Sequence, residues 1–262
     1  MSDAVIVPTP QAGPAWSHDR FSTPAVMVDL DVFEANVAAM AKLLHGSGKT
    51  VRPHFKTHRT PELARRQLGG PAVGITCATV GEAEALVAAG IDDVLLANEV
   101  VDPTKITRLA VAGRSARVTV AVDASEPVAR LSRAAVAAGA TLWVLVEVDI
   151  LLHRCGVASV ADAIALAQAV EREPGLELVG IMGYEGRLRE GVERRAARIA
   201  GAYERLAGFA SALRHAGFRV DVVSSAGTST LSEAIADPTI TEIQAGVYAL
   251  MEPELLVLDL PF

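Results

Sequence analysis

The stretch RVTVAVDASEPVARLSRAAVAAGATLWVLVEVD, residues 117–149, carries the reading on which the fold turns. Two β-branched runs, RVTVAVD at 117–123 and LWVLVEVD at 142–149, bracket an Ala-rich segment in the pattern of strand, crossover helix and strand. The same alternation continues on both sides. VRPHFK at 51–56, VGITCA at 73–78 and DVLLAN at 93–98 precede the unit, and ELVGIMGY at 177–184, VDVVSS at 220–225 and TEIQAG at 241–246 follow it, which makes eight strands. Between them, Thr60-Pro61-Glu62 reads as N-cap, first-turn proline and acidic first turn, while Gly69-Gly70 and Gly90 read as helix ends. Eight βα repeats favour a closed sheet, so the expected class is α/β and the expected architecture a (β/α)8 TIM barrel. The open doubly wound alternative loses its main support because no Gly-rich dinucleotide fingerprint follows the first strand.

Composition bounds the function. The 262 residues suit one large domain, 51% hydrophobic and only 4% aromatic, with Ala and Val prominent. A net charge of -7 and few aromatic rings argue against nucleic acid as a partner. Cys77 and Cys155 make no disulfide framework, so a reducing compartment is expected. The N-terminal MSDAVIVPTPQAGP lacks a basic region followed by an apolar one, and the longest uncharged apolar stretch, Ala134 to Val146, is too short to span a bilayer. Neither a secretory signal nor a membrane segment is read, and a cytoplasmic location is expected.

The expected domain limits are an N-terminal arm at 1–22, a barrel at 23–254 and a stub of a further β domain at 255–262. PAVMVDL at 24–30, ahead of a helix from Asp31 to His45, and LLVLDLPF at 255–262 read as strands outside the count of eight. Unpaired apolar strands promote association, so these two are expected to pair with each other, with a partner subunit or with a domain beyond this chain.

Alternate side chains of a strand share a face, which would bring His54, Lys56 and His58 together where the first strand ends. Barrels take their catalytic groups from the C-terminal ends of strands. A lysine there loses its proton readily on desolvation, and a neutral amine attacks an aldehyde, which makes Lys56 a candidate nucleophile. Two other readings stand beside this one: a strand-end lysine snorkelling to solvent, and a metal site built on His54 and His58 as in barrel hydrolases. At the end of the fifth strand, EVDILLHRCGV at 147–157 crowds Asp149, His153, Arg154 and Cys155. Arg154 suits an anionic oxygen of a cofactor, and an ion pair with Glu147 or Asp149 is the alternative. Cys77 and Cys155 read as small core residues. GYEG sets Tyr184 and Glu185 at the end of the sixth strand between Gly183 and Gly186, although Tyr184 also reads as a plain capping aromatic. SSAGTST at 224–230 and AGVY at 245–248 follow strands seven and eight, where barrels hold phosphate on backbone N–H groups and hydroxyls.

Five motifs in order, RPHFKTH, VEVDILLHRCGV, GIMGYEG, SSAGTST and TEIQAGVY, resemble the D-threonine aldolase and D-serine dehydratase family from about Thr23 to Phe262. That family is of fold-type III: a barrel of the alanine racemase N-terminal type that binds pyridoxal 5'-phosphate (PLP), followed by a β domain. The resemblance implies that Lys56 carries PLP as a Schiff base, that Arg154 contacts its phenolic oxygen and that Tyr184 lies beside its ring. It also implies that Thr228, Gly246 and Tyr248 surround the phosphate. The implied activity is that of a lyase on D-3-hydroxy amino acids, as aldolase or as D-serine or 3-hydroxyaspartate dehydratase, in a homodimer. Full-length relatives bind a divalent metal, Mn or Zn, through the β domain, and no metal ligands are assigned in this chain. A PLP-binding barrel without turnover, similar to PLP-homeostasis proteins, is the alternative, with a metal-dependent barrel hydrolase third.

Overall fold

A computed structural model describes residues 23–186, 192–258 and 260–262. Strands β1 (Thr50–Val51), β2 (Ile75–Cys77), β3 (Asp93–Leu96), β4 (Arg117–Val122), β5 (Leu142–Glu147), β6 (Leu176–Met182), β7 (Val222–Ser225) and β8 (Glu242–Ile243) form one sheet. Its order is β1-β8-β7-β6-β5-β4-β3-β2, with every pairing parallel. Parallel bridges Val51↔Ala72 and His54↔Thr76 join β1 to the β2 side and close the circle. The chain is thus the α/β barrel that its repeats announce.

Helices α1 (Leu30–Leu44), α2 (Pro61–Gln67), α3 (Val80–Ala88), α4 (Pro103–Ala112), α5 (Ser125–Ala138), α6 (Val160–Arg172), α7 (Val192–His215) and α8 (Leu231–Ala236) accompany the strands. Their starts follow the capping rules: Asp29, Thr79, Asp102 and Ser159 accept backbone N–H groups of α1, α3, α4 and α6. Thr60 precedes Pro61 as expected, but its side chain makes no cap bond to α2. Gly139, at φ 65, ends α5 in the left-handed conformation that glycine adopts without strain. Strands covered on both faces must be apolar throughout, and every residue of β4 and β5 is buried except Arg117 and the half-buried Trp143. One large core lies between strands and helices, while Leu95, Ala121, Leu145, Val179 and Met182 form a smaller cluster inside the barrel. Among the described residues, no helix is long and apolar enough to cross a membrane.

The barrel interior also holds charge. Arg52, 7% exposed, donates from Nε to Glu242 Oε2 at 3.0 Å and from Nη1 to Asp93 Oδ1 at 2.6 Å. Ser224 donates to the other oxygen of Glu242 at 2.7 Å, and Gln244 donates to Ser224 at 3.0 Å. A Cβ at Gly74 would lie 2.2 Å from Arg52 Nη1 and 2.5 Å from the Asp93 carbonyl, so only glycine admits the guanidinium.

Three expectations need correction. The first strand does not run through Lys56: Pro53 has no N–H for the ladder, only His54 bridges onward, and Phe55–Thr57 winds into a 3-10 turn. The segment 24–30 forms no strand, since α1 begins at Leu30 and Val26 is 97% exposed. At the other end, Pro253–Leu258 turns as 3-10 helix, with Leu255 buried and the Phe262 ring 5.5 Å from that of Tyr248. The apolar composition of both segments reads as strand, but strand propensity is realised only against a partner. The arm expected at 1–22 lies outside the described residues. Because α1 donates from Asn36 Nδ2 to the Ala249 carbonyl at 3.2 Å, it covers the barrel flank beyond β8, where the described residues form only 3-10 turns.

Arg52→Leu should strand Glu242 as a buried, uncompensated charge and lower unfolding stability by about 3–5 kcal/mol at neutral pH. The double variant Arg52→Leu, Glu242→Leu should recover most of that loss in urea titrations, because both charges then leave the interior together.

Candidate active site

The C-terminal ends of the strands surround a cavity of about 450 Å³. From β1 come His54, Lys56 and Thr57; from the β5 loop, Arg154; from β6, Met182, Gly183 and Tyr184. Residues 225–229 after β7, Gln244, Gly246 and Val247 around β8, Ala78 after β2, Ala97 and Asn98 after β3, and Glu252 and Leu255 further on complete the ring. Four expected site residues with side chains, Lys56, Arg154, Tyr184 and Thr228, therefore meet at one cavity, together with Gly246.

Lys56 rides on the 3-10 turn and faces the opening. Burial, and then the charge of Arg154, hold its ammonium below the usual lysine range, with Glu82 opposing them. His54 is kept neutral: burial, then Lys56 and Arg154, push its pKa down to about 3, and its Nδ1 accepts the Lys56 backbone N–H at 3.4 Å. Arg154 stands on the far side of the barrel, its guanidinium 5.8 Å from the Tyr184 ring centre. The anticipated ion pair is present too, at 3.6 Å between Arg154 Nη2 and Glu147 Oε1.

The loops after β7 and β8 approach closely. Gly246 has no room for a Cβ, which would meet Thr57 Oγ1 at 2.5 Å and the His54 carbonyl at 2.8 Å. Ala226 takes φ 68, a conformation rare for a residue with a side chain, and the loop is tied by Gly227 N–H to Thr230 Oγ1 at 3.1 Å. Thr230 donates in turn to Glu185, a buried carboxyl that desolvation raises to about 7. The hydroxyl of Thr57 is buried at the cavity edge without a hydrogen-bond partner, and Thr228 Oγ1 accepts the Tyr248 N–H at 3.0 Å, which leaves its own proton to give. A bound anion would satisfy both.

Tyr248 departs from expectation. Its ring is 1% exposed, lies in the core rather than in the cavity, and reaches the site only through its backbone. The expected grouping of His54, Lys56 and His58 is likewise broken by the 3-10 turn. His58 Nδ1 accepts the Thr60 N–H at 3.1 Å, so its proton sits on Nε2 and goes to Gln67 Oε1 at 2.9 Å. Both ring nitrogens of His58 are engaged, which removes the basis for a two-histidine metal site. Asp149 and His153 pair at 2.6 Å outside the cavity lining. Cys77 is buried core as expected; Cys155 instead donates its thiol hydrogen to Glu147 Oε1 at 2.9 Å. Sequence reasoning missed Thr57, Asn98 and Gln244, each within or one place beyond a strand it had already identified.

Comparison with known proteins gives this site a context. Residues 28–252 match the family model described as alanine racemase, N-terminal domain. The chain is 40% identical over 251 residues to a D-threonine aldolase of an Arthrobacter species and 35% identical over 246 residues to a 3-hydroxy-D-aspartate aldolase of Paracoccus denitrificans. Those matches take in 93% and 92% of this chain, which spans 65% and 63% of the two relatives' lengths. The structure superposes on that of D-threonine aldolase from Filomicrobium marinum with a TM-score of 0.86 and 39% identity, covering 90% of this chain and 64% of the other. The chain belongs to the alanine racemase N-terminal domain family, among relatives that are D-threonine aldolases and 3-hydroxyaspartate aldolases and dehydratases.

Proposed function

We propose that the cavity binds PLP, attached covalently through Lys56, and that the chain serves a lyase acting on D-3-hydroxy amino acids. The observation that carries this reading is the convergence on one cavity of a lysine held below its usual pKa, an arginine across the barrel from it, and unsatisfied hydroxyl capacity beside Gly246. When bound, PLP supplies an electron sink that weakens bonds to an amino acid's α-carbon. The residues present fit that group. Lys56 Nζ makes the attachment and takes or returns a proton; Arg154 offers an unlosable charge to the phenolic oxygen. Tyr184 borders the ring, and Thr57, Thr228 and the loop backbone at 225–229 and 246–247 receive the phosphate. Met182, Ala226 and Leu255 make part of the wall apolar and exclude water.

The relatives support aldol cleavage or dehydration, and the two differ in which α-carbon bond is broken. The alternative reading is cofactor binding without turnover.

Added PLP should give wild type a visible-range absorbance band that borohydride fixes to the chain, and Lys56→Ala should show neither. Assays with D-threonine, D-serine and D-3-hydroxyaspartate, with and without Mn2+ or Zn2+, then separate the readings: glycine plus aldehyde marks an aldolase, keto acid plus ammonia a dehydratase. A band without product leaves the barrel a PLP carrier. Because the Arg154 charge lowers the Lys56 pKa, Arg154→Met should move the pH midpoint of PLP attachment upward. An unmoved midpoint in stopped-flow absorbance would show that desolvation alone sets the amine's protonation.

A further inference from the structure

Behind Arg154 lies a group of side chains that the proposed chemistry leaves unused. Glu147 ends β5 with its side chain 3% exposed, and Glu99 follows β3. Oε2 of Glu147 and Oε1 of Glu99 are both buried, and neither has a hydrogen-bond partner. Carboxylate oxygens of the two residues and Cys155 Sγ lie within 4.8 Å of one another. The other oxygen of Glu147, Oε1, accepts the Cys155 thiol at 2.9 Å and lies 3.6 Å from Arg154 Nη2, while Arg154 Nε donates to Cys155 Sγ at 3.5 Å. Guanidinium, thiol and carboxylate thus close a triangle, with Glu99 behind it.

Two ionised carboxylates in that place would set like charges against each other with little water to screen them. One positive particle between the facing oxygens removes the conflict. With Arg154 already present as a fixed cation, a single proton makes Glu99, Glu147 and Arg154 neutral together, whereas a divalent ion reaches neutrality only if Cys155 also loses its proton, and burial pushes that thiol up to about 12. The charged and titratable surroundings agree. Arg154 and Cys155 face Glu147 from its own loop, and Asp123, after β4, is occupied by the Gly156 N–H at 3.0 Å. His54 and Lys56, on the β1 side, are coupled to Arg154 rather than to Glu147. Tyr184, after β6, meets the outer face of the guanidinium. Burial, and then Glu99, raise the Glu147 carboxyl to about 8.

We propose that Glu99 and Glu147 share one proton, and that this pair with Cys155 positions Arg154 against the phenolic oxygen of the cofactor. The positioning role rests on the reading of the cavity as a PLP site; the shared proton does not. Loss of the proton adds a negative charge behind Arg154 and draws the guanidinium away from the cavity, so PLP affinity falls as pH rises through the transition. In Glu99→Gln the amide donates to Glu147 and takes the proton's place at every pH, whereas Glu147→Gln removes the charge that holds Arg154.

Infrared difference spectra of the full chain, titrated from about pH 6 to about pH 10, read the pair directly. Beside the band of Glu185, which all three proteins share, the wild type should show a second carboxylic acid carbonyl band that titrates in this range and is missing from both Glu99→Gln and Glu147→Gln. Above the transition the PLP dissociation constant of the wild type should rise by up to about tenfold per pH unit, that of Glu99→Gln should lack this rise and keep only the pH dependence set by Lys56, and that of Glu147→Gln should be raised throughout. Thermal melts report whether each variant is folded. A carbonyl signal undiminished from wild type in both variants, a wild-type pH profile in Glu99→Gln, or an equivalent of zinc by elemental analysis that Glu147→Gln abolishes would overturn the proposal. A wild type that binds no PLP at any pH overturns the cofactor reading and the positioning role with it, while the infrared titration decides the shared proton separately.

Discussion

The ion pairs of Arg52 inside the barrel are the constraint on which the rest of the structure depends. A guanidinium enclosed by strands is tolerable only if its hydrogens are matched by fixed acceptors, and here those acceptors come from β3 and β8. The strands that flank the closure are thereby held in register by charge as well as by backbone hydrogen bonds. Burial opposes the guanidinium's charge, but Glu242 and Asp93 outweigh it and hold the Arg52 pKa above its usual value. The same network continues upward through Ser224 to Gln244, which borders the cavity. The base of the barrel and the floor of its site are therefore one connected polar column.

Above that column the chemistry is arranged by departures from regular structure. Pro53 stops a ladder, a 3-10 turn presents Lys56, a left-handed Ala226 bends the loop after β7, and Gly246 lets two strand ends nearly touch. Each of these deviations falls at the C-terminal rim, where loop conformation is free to vary without disturbing the strands beneath.

The barrel itself was legible because parallel strands buried on both faces write themselves as uninterrupted apolar runs, of which β4 and β5 are the clearest. Lys56, Arg154, Tyr184, Thr228 and Gly246 were legible through ordered motifs at strand ends. What escaped was set by three-dimensional context. Alternation assigned Lys56 to a strand face because spacing along the chain does not register the missing N–H of Pro53. Tyr248 stands beside residues of the site yet turns its ring inward, a choice made by the packing of Gln67 and Phe262. The segments at 24–30 and 255–262 have strand composition without a strand to pair with, and Glu99 joins Glu147 only because Leu96 registers through Val120 with Val144, which puts the residues three places further on at one height.

One chain of contacts ties the two ends of the site together. The Thr60 N–H reaches His58, His58 reaches Gln67, Gln67 reaches Tyr248, and the Tyr248 N–H reaches Thr228. The turn that bears Lys56 and the loop that bears Thr228 are thus held at a set spacing by links buried largely outside the cavity. A ligand gripped at both points meets a frame whose span was established during folding, so little ordering entropy is lost when it binds. For the cofactor proposed above, the barrel is a rigid gauge: the distance between the lysine turn and the hydroxyl loop is a length that aldehyde carbon and anionic tail have to match.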